Sequence, residues 1–152
     1  KPFVFGVSYA LLDLAESRSQ LQEAFILETG GMKGRRQELT KVELHQLLQA
    51  GFGVQQILSE YGMTELLSQA YCTSDQTFSC PPWMQIRIRD AYDPFQEVPF
   101  GQKGGVNVID LANQNSCAFI QTDDLGRLTP QGFLLEGRLE ASDIRGCNQL
   151  VD

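Results

Sequence analysis

The sequence predicts an α/β fold: a parallel sheet with flanking helices in its first part, plus a smaller antiparallel β-rich subdomain. Three observations predict it. Short apolar runs alternate with helical stretches through the first 66 residues, as strand–helix–strand units do. Met84, Ile86 and Ile88 then alternate with Gln85, Arg87 and Arg89, the period of two of a half-buried antiparallel strand. Glycines at 101, 104, 105, 126 and 132 punctuate the remainder, as turns between short strands do. The division is expected at residue 66, giving an α/β part, 1–66, and a β-rich part, 67–152.

Each element has a local reason. Phe3 to Val7 reads as a buried strand, and Tyr9 to Arg18, with Leu11, Leu12, Leu14 and Ala15, as a helix. Ala24 to Leu27 is a second buried strand, ending in Glu28-Thr29-Gly30-Gly31-Met32-Lys33-Gly34. Thr40-Lys41-Val42-Glu43 has the form of a capping box, in which the hydroxyl and the carboxylate satisfy each other's free N–H groups. Leu44, Leu47 and Leu48 form the apolar stripe of that helix, and Gly51 and Gly53 are expected to end it. Val54 to Ser59 is a third strand leading into Tyr61-Gly62-Met63-Thr64-Glu65. In the second part, Val106 to Leu111 and Cys117 to Ile120 look like paired strands joined around Asn113-Gln114-Asn115.

Composition excludes several classes of function. Of 152 residues, 42% are apolar and 20% charged, which is ordinary for a globular protein. Twelve basic against nineteen acidic side chains leave a net charge of −7, the wrong sign for general binding to nucleic acid or anionic membranes. No apolar run is long enough to form a transmembrane segment. Four scattered cysteines (72, 80, 117, 147) do not make a disulfide scaffold, so a cytoplasmic location is expected. Cys72 and Cys80 supply at most half of a zinc site. There is no phosphate-binding G-x-x-x-x-G-K-S/T loop and no G-x-G-x-x-G after a strand. The single histidine, His45, falls in line with Lys41 and Gln49 and is expected on the solvated side of its helix. The chain opens in an apolar run without Met, as a fragment of a larger protein would.

Three motifs stand in order: the Gly30-Gly31 loop, Tyr61 to Glu65, and Thr122-Asp123-Asp124-Leu125-Gly126-Arg127 followed by Gly137-Arg138. Together they suit an adenylate. Two glycines, with Met32 beside them, let the backbone approach a flat base, and Tyr61 offers a stacking face beside Gly62. Thr64 has a hydroxyl for a phosphate and Glu65 a carboxylate for Mg²⁺. Asp124 can accept from both ribose hydroxyls, and Arg138 adds a fixed fork of donors.

This ordered set resembles the adenylate-forming superfamily of acyl-CoA synthetases, luciferases and peptide-synthetase adenylation domains. The match covers nearly the whole chain and corresponds to the second half of that family's large domain, up to its hinge. The resemblance implies ATP and Mg²⁺ as cofactors. It puts Tyr61 on adenine, Thr64 on the α-phosphate, Glu65 on magnesium, Asp124 on ribose, and Arg138 and Glu140 in the hinge motif. Asp123 stands where the family has glycine. Within the superfamily the chain is most similar to the acyl-protein synthetases of bacterial fatty acid reductase complexes, on Phe5-Gly6, Glu28 to Gly34, Tyr61 to Glu65 and Ile144-Arg145-Gly146-Cys147. That likeness implies a fatty acid substrate, Cys147 as the acyl acceptor and an acyl reductase as partner. The family's upstream phosphate-gripping loop and its C-terminal lysine domain are both missing from the sequence. The chain is therefore expected to be the C-terminal half of a larger enzyme, inactive alone. A CoA ligase of the phenylacetate type and a non-catalytic nucleotide-binding module are the alternatives.

Overall fold

A computed structural model of the chain describes residues 1–17, 21–32, 35–37, 39–73 and 75–139. The described residues form two compact units: those of 1–63 with 69–78, and those of 64–68 with 79–139. The boundary is more entangled than a single cut at residue 66. Residues 70–72 pair back onto the third strand of the first unit, whereas 64–68 are bonded into the second.

The first unit runs β1 (Phe3–Val7), α1 (Ser8–Glu16), β2 (Phe25–Thr29), α2 (Lys41–Phe52), β3 (Ile57–Tyr61), β4 (Ala70–Cys72) and the first residue of β5 (Phe78–Ser79). β1, β2 and β3 are parallel neighbours, with Val7 opposite Thr29 and Thr29 opposite Glu60. β4 joins antiparallel to β3. Both helices lie between parallel strands in sequence, and their apolar stripes bury Leu11, Leu12, Ala15, Leu44, Leu48 and Phe52 against Ile26 and Ile57. The opposite face carries Phe3, Phe5 and Phe25, each more than half exposed, and Phe3 and Phe5 line an open groove of about 460 Å³ together with Leu27, Leu58 and Tyr71.

Local chemistry sets the ends of α2. Thr40 Oγ1 accepts from the Glu43 amide and Glu43 Oε2 accepts from the Thr40 amide, the expected capping box. Gly53 ends the helix at φ 71°, a left-handed conformation that glycine adopts without strain. Gly51 is not a terminator. It sits inside the helix where an added Cβ would lie 2.6 Å from Ala15 Cβ, so its role is to let α1 approach. Val54 is buried in the core but precedes β3, because the chain still has to turn at Gln55 and Gln56 before entering the sheet.

The second unit contains β6 (Met84–Arg89), β7 (Gly104–Asp110), a 3-10 turn (Leu111–Asn113), β8 (Phe119–Thr129) and β9 (Gly132–Arg138). These strands lie side by side in the order β9-β8-β7-β6, each antiparallel to the next. The alternation in β6 is as expected: Met84, Ile86 and Ile88 are buried, and Gln85 and Arg87 exposed. Arg89 breaks it, being 3% exposed. Thr122 to Arg127 lies in the middle of β8. No helix among the described residues is long and apolar enough to cross a membrane.

Candidate functional site

In the first unit, the carboxyl ends of parallel strands bring two of the motifs together. Gly30 follows Thr29, Tyr61 follows Glu60, and Thr29 and Glu60 are register partners whose side chains also share a 3.1 Å hydrogen bond. The Gly30-Gly31 loop and Tyr61-Gly62 therefore leave adjacent strands at one edge, where open α/β sheets bind ligands. Gly30 has φ 69°. Among the described residues, nothing lies within 4 Å of where a side chain would project from Gly31. Met32, in contrast, is 2% exposed and packs in the core, away from any base at the loop. Tyr61 is 6% exposed and meets Phe78 edge to face, ring centroids 6.2 Å apart. A stacking role for Tyr61 requires its ring to exchange part of this packing.

Behind that edge sits a polar cluster that no sequence motif marks. Glu28 is fully buried in β2, and a buried carboxylate demands partners. Ser8 Oγ donates to its Oε2 at 2.8 Å, with the Gly30 carbonyl 3.1 Å away as a second acceptor. Ser59 Oγ and Lys41 Nζ both donate to its Oε1. Because Ser59 gives its proton to Glu28, it accepts from His45 Nε2, 2.8 Å away, and the same nitrogen lies 3.5 Å from Glu28 Oε1. His45 is thus not the solvated surface residue expected from the helical wheel: Ser59 and Glu28, from β3 and β2, draw it inward. The cluster is not a nucleophilic triad, since Ser59 is 1% exposed and serine and carboxylate meet the same ring nitrogen. Burial, the largest effect, pushes the Glu28 carboxyl up, but the bonds from His45, Lys41 and Ser59 and the Lys41 charge outweigh it and hold it at about 2.

In the second unit, β8 carries a bulge. Gly105 pairs with Leu125 and Asn107 with Gln121, so Thr122, Asp123 and Asp124 face a single residue, Val106. Thr122 pins it: the buried hydroxyl donates to the Val106 carbonyl at 2.8 Å and accepts from the Asp124 amide at 3.1 Å. The result places Asp124 opposite Arg138 of β9, with Nε and Oδ1 3.4 Å apart. Arg138 is exposed and Asp124 half-buried. Beneath the bulge, Arg89 Nη2 donates to the Thr122 carbonyl at 2.9 Å. Its guanidinium lies over Gly105, where an added Cβ would fall 1.1 Å from Nη1.

Thr64 and Glu65 are both exposed at the start of a segment bonded into this second unit. Asn113 Nδ2 donates to the Glu65 carbonyl at 2.7 Å. The fully buried Asp110 accepts from the amides of Leu67 and Ser68, each at 2.9 Å, and from Ser68 Oγ at 2.6 Å. The sequence signal for both hidden clusters was an acid inside an apolar strand, Glu28 in Phe-Ile-Leu-Glu and Asp110 in Val-Ile-Asp-Leu. Of the described cysteines, Cys72 is buried, Cys80 half-buried and Cys117 exposed. Cys147 and Glu140 lie outside the described residues.

No family model matches the sequence, and no curated protein does. Solved structures do match. The ATP-bound MatB of Rhodopseudomonas palustris superposes with a TM-score of 0.66 at 19% identity, covering 90% of this chain and 31% of its own. The O-succinylbenzoate coenzyme A synthetase MenE of Bacillus subtilis, in complex with ATP and magnesium ion, gives 0.61 at 22% identity over 90% and 31%. The fold of this chain is similar to that of part of each of these enzymes. The amide bond synthetase McbA of Marinactinospora thermotolerans shares it, with a TM-score of 0.64 at 22% identity over 91% and 32%. The chain thus spans about a third of the length of these synthetases.

Proposed function

We propose that this chain is the C-terminal part of an enzyme that activates a fatty acid with ATP and passes the acyl group to its own Cys147 thiol, for use by an acyl reductase. The observation that carries the reading is the meeting of Gly30-Gly31 and Tyr61-Gly62 at the carboxyl edge of adjacent parallel strands, in a fold shared with synthetases solved with ATP. In the proposed chemistry the fatty carboxylate attacks the α-phosphorus, forming an acyl-adenylate and releasing pyrophosphate. The Cys147 thiolate then attacks the acyl carbon, forming a thioester and releasing AMP. In a reducing cytoplasm that thiol stays free.

Three features of the chain support this reading of the nucleotide and its metal. Gly31 leaves open space for a flat base, and an exposed hydroxyl and carboxylate stand next to each other at Thr64 and Glu65. Magnesium, when bound, withdraws charge from the phosphate oxygens. In this reading Thr64 donates to the α-phosphate, Glu65 supplies the metal's carboxylate, Asp124 accepts from the ribose hydroxyls, and Arg138 steadies Asp124. The test is fatty-acid-dependent ATP–pyrophosphate exchange by the intact enzyme. Glu65→Gln should abolish it while the fold persists, and unchanged exchange removes Glu65 from the site.

A CoA-ligase reading has one specific support, the coenzyme A synthetase among the solved neighbours. Labelled fatty acid and ATP separate the two. Hydroxylamine-sensitive label on the protein, lost in Cys147→Ser, supports the thiol acceptor. Acyl-CoA formation with no protein label supports the ligase.

A further inference from the structure

We infer that Asn113 and Asp110 are positioning residues that set where Thr64 and Glu65 stand and thereby fix the metal requirement of the nucleotide site, an inference that rests on the function just proposed. Thr64 and Glu65 belong to no helix or strand, and exposed side chains on an unsupported loop make poor ligands, because ordering them opposes binding. Here the loop is tied down from behind. Asn113, 5% exposed, uses its amide nitrogen on two carbonyls, that of Glu65 at 2.7 Å and that of Cys117 at 3.0 Å. Leu66 is buried next door. The following two amides and the Ser68 hydroxyl all end on Asp110.

The two anchors are themselves wired together. Asp110 Oδ1 also accepts from the Ala112 amide at 3.1 Å, which starts the 3-10 turn that presents Asn113. One carboxylate therefore organises both the loop and the turn that grips it. Asp110 has no cationic partner among the described residues, and its charge is held by four N–H and O–H donors. Trp83 Nε1 adds a 2.9 Å bond to Ser68 Oγ, closing the far end of the segment. Such outer partners orient a metal ligand without touching the metal, and their loss typically costs about ten- to a hundredfold in metal affinity.

The test measures the magnesium concentration that half-saturates binding of a fluorescent ATP analogue to the intact enzyme, together with hydrogen exchange at the Leu67 and Ser68 amides. Asn113→Ala should raise that concentration about tenfold or more and speed exchange at both amides, leaving KM for the fatty acid unchanged. Ser68→Ala, which keeps both amides and removes only a hydroxyl, should act in the same direction by a smaller factor and shift the emission of Trp83, the one tryptophan. A folded Asn113→Ala with the wild-type magnesium requirement overturns the inference. If Asn113→Ala does not fold, a wild-type requirement in Ser68→Ala overturns it instead. Glu65→Gln run in parallel separates the two levels. If it leaves the magnesium requirement untouched, the metal role proposed for Glu65 fails. If it raises the requirement and Asn113→Ala does not, only the positioning role fails.

Discussion

His45 Nε2 lies 3.5 Å from Glu28 Oε1, joining a helix residue to a buried strand carboxylate seventeen positions earlier. With Lys41 one turn before it on α2, His45 places the polar edge of a helix onto an acid that has no access to water. The cluster ends at the Gly30 carbonyl through Ser8, so it supports the glycine loop as well as the core.

Acid should therefore loosen the first unit in a defined window. The folded pKa of Glu28, about 2, lies below its ordinary 4.5, so on acidification the unfolded chain binds the proton first. Its contribution is complete above pH 4.5, declines below it and is gone near pH 2. Glu28→Gln should remove that slope and cost about 3 kcal/mol at neutral pH, because it leaves Lys41 without its buried partner. Urea unfolding between pH 2 and 7 reads both effects. A slope that survives the substitution assigns the acid sensitivity to other groups.

Gly51→Ala opposes two effects of known size. Gly51 lies in the last turn of α2, so its replacement by alanine gains at most about 1 kcal/mol of helix propensity. Overpacking against Ala15, with 2.6 Å between Cβ atoms, costs about 1–3 kcal/mol. A net loss is expected, and the same change should cost less in an Ala15→Gly background. Thermal unfolding of the double-mutant cycle measures the difference, and simple additivity contradicts the contact.

Thr122→Val keeps the shape of the bulge residue and deletes its hydroxyl. Two bonds go with it, to the Val106 carbonyl and from the Asp124 amide, for a loss of about 1–3 kcal/mol. In the intact enzyme KM for ATP should rise while that for the acid stays, and Thr122→Ser should restore both. Equal effects on the two substrates would detach the bulge from the nucleotide.

Among the described cysteines, alkylation of the native chain at pH 8 should proceed in the order Cys117, Cys80, Cys72. Cys117 is exposed and Cys72 buried. Burial pushes the Cys80 thiol up to about 11, leaving a thiolate fraction of about one in a thousand at that pH. Peptide mass spectrometry over time gives the order, and Cys80 reacting ahead of Cys117 would contradict it.

What could be read from sequence and what could not divides along contact distance. The capping box of Thr40 and Glu43, three residues apart, and the alternation of β6 were legible because their partners are local or periodic. The parallel strands were legible from apolar runs between helical stretches. His45 was misplaced because a helical wheel sees only its own helix, and the groups that draw it inward lie 14 and 17 residues away on two strands. The Asp110 anchor spans 42 residues to Ser68. Nothing in either local sequence marks the other. Gly51 looked like a terminator because glycine ends helices more often than it admits a neighbour, and only α1 shows which applies.

Arg89 and Gly105 have to be inherited together. A side chain at 105 would occupy the space of the guanidinium that reaches the Thr122 carbonyl, so substitution at 105 is tolerated only after the arginine has been shortened. The reverse order is open, since losing Arg89 first leaves a glycine that can later be filled. Related sequences should accordingly show the two positions covarying, with glycine retained wherever the arginine is kept. Neighbouring Gly104 has no such escape: its Cβ would lie 2.2 Å from the main-chain oxygen of Arg89, which no substitution at 89 removes. It is the position at which drift should stop.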